Sequence, residues 1–160
     1  MKWVMVKHAS PSVQKYHLLE GLSQKAVLKH NLLQQSVRIS NDDTQRVFFL
    51  ERSGFWNNKT IFKNEYGLEI GKMSFEKGFH AGSIEVDGNK YHYIIQEAPS
   101  QLLVIYDELS QPILTCDLSA AGYTPDQDLS SLLLGLCWYA YPSIGQQGQP
   151  PVYSSHLTTV

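Results

Sequence analysis

The sequence lacks the short motifs that mark the common classes of catalytic site. It has no HExxH pair for zinc, no GxSxG nucleophile elbow and no glycine-rich phosphate loop. Its six histidines are scattered, and none stands at metal-ligand spacing from a cysteine. We therefore expect no metal and no cofactor. The residues do not support an enzyme, although one that uses His80 or His92 with a nearby carboxylate is left open.

Cysteine is scarce, and neither sign of charge dominates. Cys116 and Cys137 lie in apolar surroundings, which favours buried free thiols in a reducing compartment over a disulfide between them. Thirteen basic and fifteen acidic residues give a formal net charge of -2, so any binding to nucleic acid or to an anionic membrane must be local. The apolar patch at 3–6 is too short for a signal-peptide core. We expect a cytoplasmic protein, with peripheral membrane attachment left open.

Charged residues are absent from 129–144, LSSLLLGLCWYAYPSI. Acidic residues precede this stretch and Pro142 interrupts it, which predicts a helix over 129–141. A helix that is apolar on all sides is surrounded by protein or by lipid, and crossing a bilayer takes about 20 apolar residues. The stretch therefore predicts burial inside a soluble domain rather than a transmembrane span, with an interfacial anchor left open.

Short apolar runs separated by turn residues fill the chain before this helix. The clearest hairpin joins 83–86 to 90–95, because Asp-Gly between alternating apolar residues favours a tight turn. Three similar units have turns at 41–43, 64–67 and 107–112. Residues 15–33 fit a helix or strands equally.

This order predicts a mainly β protein, an antiparallel barrel of roughly nine to twelve strands that closes to remove its edges. The lumen of such a barrel must be filled, and the apolar helix is suited to fill it. We expect a single domain over 1–144 and, because 145–160 begins with glycine, glutamine and proline only, a disordered tail there.

Three strand–turn–strand units followed by a hydrophobic helix carry a family resemblance: FKNEYGLEIGKMSF at 62–75, GSIEVDGNKYHYII at 82–95, VIYDELSQPILTCDL at 104–118 and SSLLLGLCWYAY at 130–141. Over about 35–144 the pattern resembles the tubby C-terminal-like superfamily, including its LURP-one-related and phospholipid-scramblase-like members. The resemblance implies an antiparallel barrel threaded by its C-terminal helix. In tubby proper, basic residues on the barrel exterior bind phosphoinositides, but no basic pair here aligns with that site.

Four lysines and one tryptophan are the candidate lipid-binding residues. The lysines fall within one predicted pair of strands and its turns, where they could face an anionic head group. The interspersed glutamates favour a solvated mixed-charge face over a binding site. The tryptophan stands in an asparagine-rich loop and should be exposed, where it could enter a membrane interface or contact a partner. These residues are Lys59, Lys63, Lys72, Lys77 and Trp56.

The resulting hypothesis is a non-enzymatic binding or scaffolding module. Its ligand would be a phosphoinositide or another anionic phospholipid, or else a protein partner, and not nucleic acid. The alternative is a lipocalin-like or fatty-acid-binding-like barrel that holds a small apolar ligand, with the helix packed outside. Saturable one-to-one binding of a fatty acid would distinguish the two, because a helix inside the lumen leaves no room for a ligand.

Overall fold

The computed structural model describes residues 1–6, 10–86, 88–122 and 124–140. Eleven strands precede one helix, and short 3-10 turns lie at Phe55–Asn57 and Lys77–Phe79. The strands are β1 (Lys2–Val6), β2 (Val13–Glu20), β3 (Ser23–Asn31), β4 (Ser36–Ser40), β5 (Gln45–Ser53), β6 (Lys59–Lys63), β7 (Glu69–Phe75), β8 (Ala81–Val86), β9 (Asn89–Gln96), β10 (Leu102–Tyr106) and β11 (Pro112–Asp117), and the helix is α1 (Pro125–Ala140). The predicted β class and strand number are confirmed, and the ambiguous segment 15–33 forms most of β2 and β3.

The strands form a closed barrel in which each strand pairs with the next along the chain. Ten of the eleven pairs are antiparallel, as predicted, but β1 pairs with β11 in parallel, through Lys2 and Asp117. The predicted antiparallel barrel thus closes through one parallel pair. Successive strands of a meander alternate in direction, so an odd number of strands leaves the first and the last pointing the same way. We call this parallel pair the seam.

The interior of the barrel is built by alternation along the strands. In β4, for example, Val37 and Ile39 are fully buried while Arg38 between them is exposed. Strand β10 departs from this pattern, because Val104 on the outer side is buried together with its neighbours Leu103 and Ile105. The inward side chains form one continuous hydrophobic core.

Helix α1 lies inside this ring. All residues from Asp128 to Trp138 are buried. Gly135 packs against Trp3 of β1, while Ser130 is hydrogen-bonded to Thr60 of β6. Five steps separate β1 from β6 in a ring of eleven, the largest separation that such a ring allows. The helix therefore contacts opposite walls and occupies the lumen, which confirms the predicted enclosed helix.

The helix begins earlier than the sequence predicted. Its first residue is Pro125 rather than Leu129, because proline suits the first helical position, where no backbone N–H is needed. The described helix ends at Ala140. The predicted segment 141–144 and the predicted disordered tail at 145–160 lie outside the described residues. Among the residues that are described, no helix is long and apolar enough to cross a bilayer.

Because successive strands alternate in direction, the connections between them lie alternately at the two ends of the barrel. The end formed by residues 32–35, 54–58, 76–80, 97–101 and 118–122 is called the mouth, and α1 enters the lumen there. The opposite end, formed by residues 21–22, 41–44, 64–68 and 107–111, is called the base.

Candidate functional site

The structure separates the predicted lysines along the barrel. Strand β6 begins with Lys59 at the mouth and ends with Lys63 at the base, about 13 Å away at the usual rise of a strand. Lys72 lies halfway along β7, and the backbone of Lys77 lies in the 3-10 turn at the mouth. The predicted set is therefore not a single cluster.

Three of these lysines share the outer face of the wall. Thr60 and Phe62 are buried in the lumen, so alternation along β6 places Lys59 and Lys63 outside. Ile61, which lies between them, is the Cα partner of Lys72 on β7. The outer wall thus presents both ends of β6 and the middle of β7 to the same side.

Two of the wall lysines are paired with carboxylates. Lys63 binds Glu51 on the neighbouring strand β5, and Lys72 Nζ lies 3.6 Å from Glu85 Oε2 on β8. These pairs are partly exposed and contribute little to stability, but each carboxylate offsets the charge of its lysine. For Lys63 and Lys72, the solvated mixed-charge alternative raised by the sequence agrees better with the structure.

The mouth carries an exposed aromatic pair. Phe55 and Trp56 are 82% and 89% exposed, with ring centroids 5.8 Å apart in an edge-to-face arrangement. The exposure predicted for Trp56 is confirmed. Its backbone φ of 65° lies in the left-handed region, which is uncommon for a bulky residue, and Gly54 before it has a φ of 85°. This turn holds the indole away from the body of the barrel.

Cationic side chains flank this pair on both sides of the sheet. Lys59 is exposed on the outer face of the sheet. Arg52 is the Cα partner of Thr60, so its side chain lies on the same face as Thr60, the one that lines the lumen. Arg52 is nevertheless exposed, because β5 reaches the open mouth at that position. Neither cation forms an ion pair with another described residue. Sequence reasoning assigned Arg52 no role, because the direction of a side chain at a barrel opening cannot be inferred without the topology.

A second polar group lies inside the lumen, near the mouth. Tyr16, His30 and Asp128 are each fully buried, and they come from β2, β3 and α1. Burial raises the pKa of the Tyr16 hydroxyl, and the negative charge of Asp128 and hydrogen bonding with it add to that rise. Sequence reasoning missed this group; the available signal was that His30 falls in phase with Leu28 along β3.

The histidines of the enzyme hypothesis lie at the surface. His92 is exposed on β9 and points away from the buried ring of Tyr93. His80 Nδ1 lies 3.4 Å from Glu97 Oε1, and both side chains are more than half exposed. An ion pair in that setting is typical of a solvated surface rather than of a reacting site.

No protein-family model matches the chain, and no curated protein or solved structure matches it. The likeness to the tubby C-terminal-like superfamily therefore rests on the order of the strands and the helix. Function has to be argued from the side chains at the mouth and in the lumen.

Proposed function

We propose that this protein is a non-enzymatic binding module that attaches to anionic phospholipid head groups through the mouth of its barrel. The observation that carries the proposal is the joint exposure of the Phe55–Trp56 ring pair with Arg52 and Lys59 beside it. The ligand class is a phosphoinositide or another anionic lipid, and the attachment is peripheral, at a cytoplasmic membrane surface.

Physical chemistry supports this combination of side chains. Tryptophan is enriched at the interface between water and lipid, where its ring contacts acyl chains and its N–H stays hydrated. Each lysine or arginine near an anionic surface contributes about 1 kcal/mol. A ring pair with two flanking cations therefore offers both an apolar anchor and an attraction that depends on lipid charge.

The proposal includes membership of the tubby C-terminal-like superfamily. Its support is the order of the elements, a ring of eleven strands followed by a helix in the lumen. The proposed contact surface is this chain's own, since it is centred on Phe55 and Trp56 rather than on a basic pair carried over from tubby proper.

The alternative, a barrel that holds a small apolar ligand, has less support. Helix α1 occupies the space that such a ligand would need, with Leu132, Leu133 and Leu136 fully buried. We expect a fluorescent fatty acid to show no saturable one-to-one binding to the folded protein.

Co-sedimentation with vesicles tests the proposal. Purified protein is mixed with neutral vesicles and with vesicles that contain a phosphoinositide or phosphatidylserine, at low and at physiological salt. We expect binding to the anionic vesicles only, weakened by salt because the screening length shortens. Trp56 also serves as a reporter, since the other two tryptophans, Trp3 and Trp138, are buried. Its emission should shift to the blue on binding.

Matched variants locate the contact surface. Trp56→Ser should reduce binding strongly, whereas Tyr66→Ser, which removes an exposed aromatic ring at the base, should not. Lys59→Gln should weaken binding more than Lys63→Gln, because Lys63 is already paired with Glu51. Equal losses from the mouth and base variants, or no binding to any vesicle, would refute the membrane role and direct attention to protein partners.

A further inference from the structure

Three buried polar side chains meet where α1 enters the lumen. Asp128 lies in the first turn of the helix, and its Oδ2 accepts a hydrogen bond from the backbone N–H of Thr124 at 2.8 Å. Its other oxygen, Oδ1, faces His30 of β3. Tyr16 of β2 lies close enough for the carboxylate to raise the pKa of its hydroxyl, after the larger effect of burial. Each of the three side chains has an exposure of 0% or 1%.

Several polar atoms at this place lack partners within the described part of the chain. They are Nδ1 and Nε2 of His30 and Oδ1 of Asp128. His30 Nδ1 and Asp128 Oδ1 are 3.8 Å apart, which is too long for a direct hydrogen bond. Buried polar atoms in folded proteins nearly always bond to protein or to an ordered water, so a group of unpaired atoms points to an occupant.

We propose that Tyr16, His30 and Asp128 enclose one structural water molecule, which joins the first turn of α1 to β2 and β3. Two atoms 3.8 Å apart can both bond a single water at about 2.8 Å from each. The hydroxyl of Tyr16 already donates to Gln14 Oε1 at 3.2 Å, so its oxygen can only accept a bond from the water. With that third partner the water would have about three hydrogen bonds, the usual number for a buried water. A carboxylate, an imidazole and a phenol together offer both donors and acceptors to a small neutral molecule.

A metal ion is the competing occupant, and the ligand set argues against it. The described residues contain no group of three or more histidine, cysteine, aspartate or glutamate side chains that could hold one. At this place a metal would have one imidazole and one carboxylate, and its third ligand would be a phenol, which binds a metal well only after it loses its proton. Water requires no deprotonation of Tyr16.

The site has a structural consequence for the helix. From Leu132 to Trp138 the helix contacts the barrel through apolar side chains and Gly135, and apolar packing has no preferred direction. Hydrogen bonds do have a direction, and satisfied buried networks fix a single arrangement. Together with the Thr60–Ser130 hydrogen bond, the water would set the depth and the rotation of α1 in the lumen.

A crystal structure of the wild-type protein at about 1.5 Å resolution is the first test. We expect one density peak within about 3.2 Å of both His30 Nδ1 and Asp128 Oδ1, with the distances of a water and no anomalous signal. A direct bond between His30 and Asp128 with no peak would overturn the proposal, and so would a peak with anomalous scattering from a metal.

Oxygen-17 relaxation dispersion tests the same site in solution, because it counts long-lived internal waters. The count should fall by one in His30→Leu and stay unchanged in His92→Leu, which alters an exposed histidine. If His30→Leu does not fold, His30→Gln keeps a polar group and should retain the full count. An unchanged count in a folded His30→Leu would contradict the proposal.

Discussion

The side-chain oxygens of Thr60 and Ser130 lie 3.0 Å apart in the interior of the barrel, where the two residues are 1% and 5% exposed. This hydrogen bond joins β6 to the helix, on the wall opposite the contact between Gly135 and Trp3. The two hydroxyls satisfy each other, so neither is buried without a hydrogen-bond partner.

Removing both hydroxyls of this pair should cost less than the sum of the two single losses. Thr60→Val leaves Ser130 buried without its partner, and Ser130→Ala does the same to Thr60, so each should lower the free energy of unfolding by about 1–3 kcal/mol. The double variant should be less destabilised than the sum of the two, by roughly 1 kcal/mol, because it leaves neither group unpaired. Urea unfolding of the four proteins measures the coupling. Strict additivity would show that the two hydroxyls do not interact.

Gly135 should not tolerate alanine. Glycine to alanine inside a helix normally stabilises by about 1 kcal/mol. Here an added Cβ would lie 2.8 Å from Leu28 Cδ1 and 2.9 Å from Trp3 Cζ2, and overpacking of that kind costs about 1–3 kcal/mol. We expect Gly135→Ala to lower the unfolding free energy, by roughly 1 kcal/mol net, in a urea titration. The loss should shrink in a Leu28→Ala background. A more stable Gly135→Ala protein would contradict the close packing of helix and wall.

Both cysteines should be inert in the folded protein. Cys116 and Cys137 are free and buried, which confirms the expectation from the sequence, and burial raises the pKa of each thiol to about 12. At pH 8 the reactive thiolate would then be about one part in 10⁴. We expect no reaction with Ellman's reagent under native conditions and two equivalents after denaturation. A native equivalent of one would mean that one thiol is accessible.

Acid should destabilise the protein in part through His17. Burial, and then the positive charge of Lys15, lower the pKa of His17 below 6.5. Its Cα partners on the neighbouring strands are Val4 and Val27, which supply no compensating charge. The unfolded chain therefore takes up the proton first as pH falls. The stabilising contribution is complete above about pH 6.5 and is lost as pH falls toward the lowered pKa in the folded state.

Urea unfolding between pH 7.5 and 5 checks this prediction. The loss of stability on acidification should be smaller in His17→Gln than in the wild type. His92→Gln, which changes an exposed histidine on β9, should follow the wild-type curve. If His17→Gln and the wild type lose stability equally over this range, another group is responsible.

The helix could be predicted because its information is local. The stretch 129–144 has no charged residue and is mostly apolar, so no side of its helix is suited to face water, and the strands that surround it have alternating patterns of their own. The hairpin at 83–95 is equally local, and Gly88 has the positive φ, 76°, that its turn requires.

Residues 15–33 could not be assigned because apolar side chains also lie on their outer face. Leu18 and Leu28 are buried inside, but Leu19 and Val27 next to them are partly buried outside, which hides the period of two. The register shift between Leu18 and Leu19 weakens the pattern further. Neighbouring strands, rather than the segment itself, determine this conformation.

The candidate site could not be predicted without knowing the register of the strands. The sequence shows that lysines and glutamates are interspersed, but not that Glu51 comes to Lys63 across one strand pair and Glu85 to Lys72 across another. The sequence also does not reveal that His30 lies beside Asp128, because these residues meet only when the helix enters the ring. Pairing across distant parts of the chain decides which charges remain available.

The last described element of the chain lies inside a ring made by all the others. During synthesis every strand is therefore made before the helix that fills the barrel. Until the helix is made, the apolar lining of the incomplete ring has nothing to cover it. The seam is the strand pair that can form last, because it joins the first strand to the last and has a single paired position, Lys2 with Asp117. We expect chains truncated before Pro125 to aggregate rather than to fold, so that synthesis of α1 is itself a condition for a folded product.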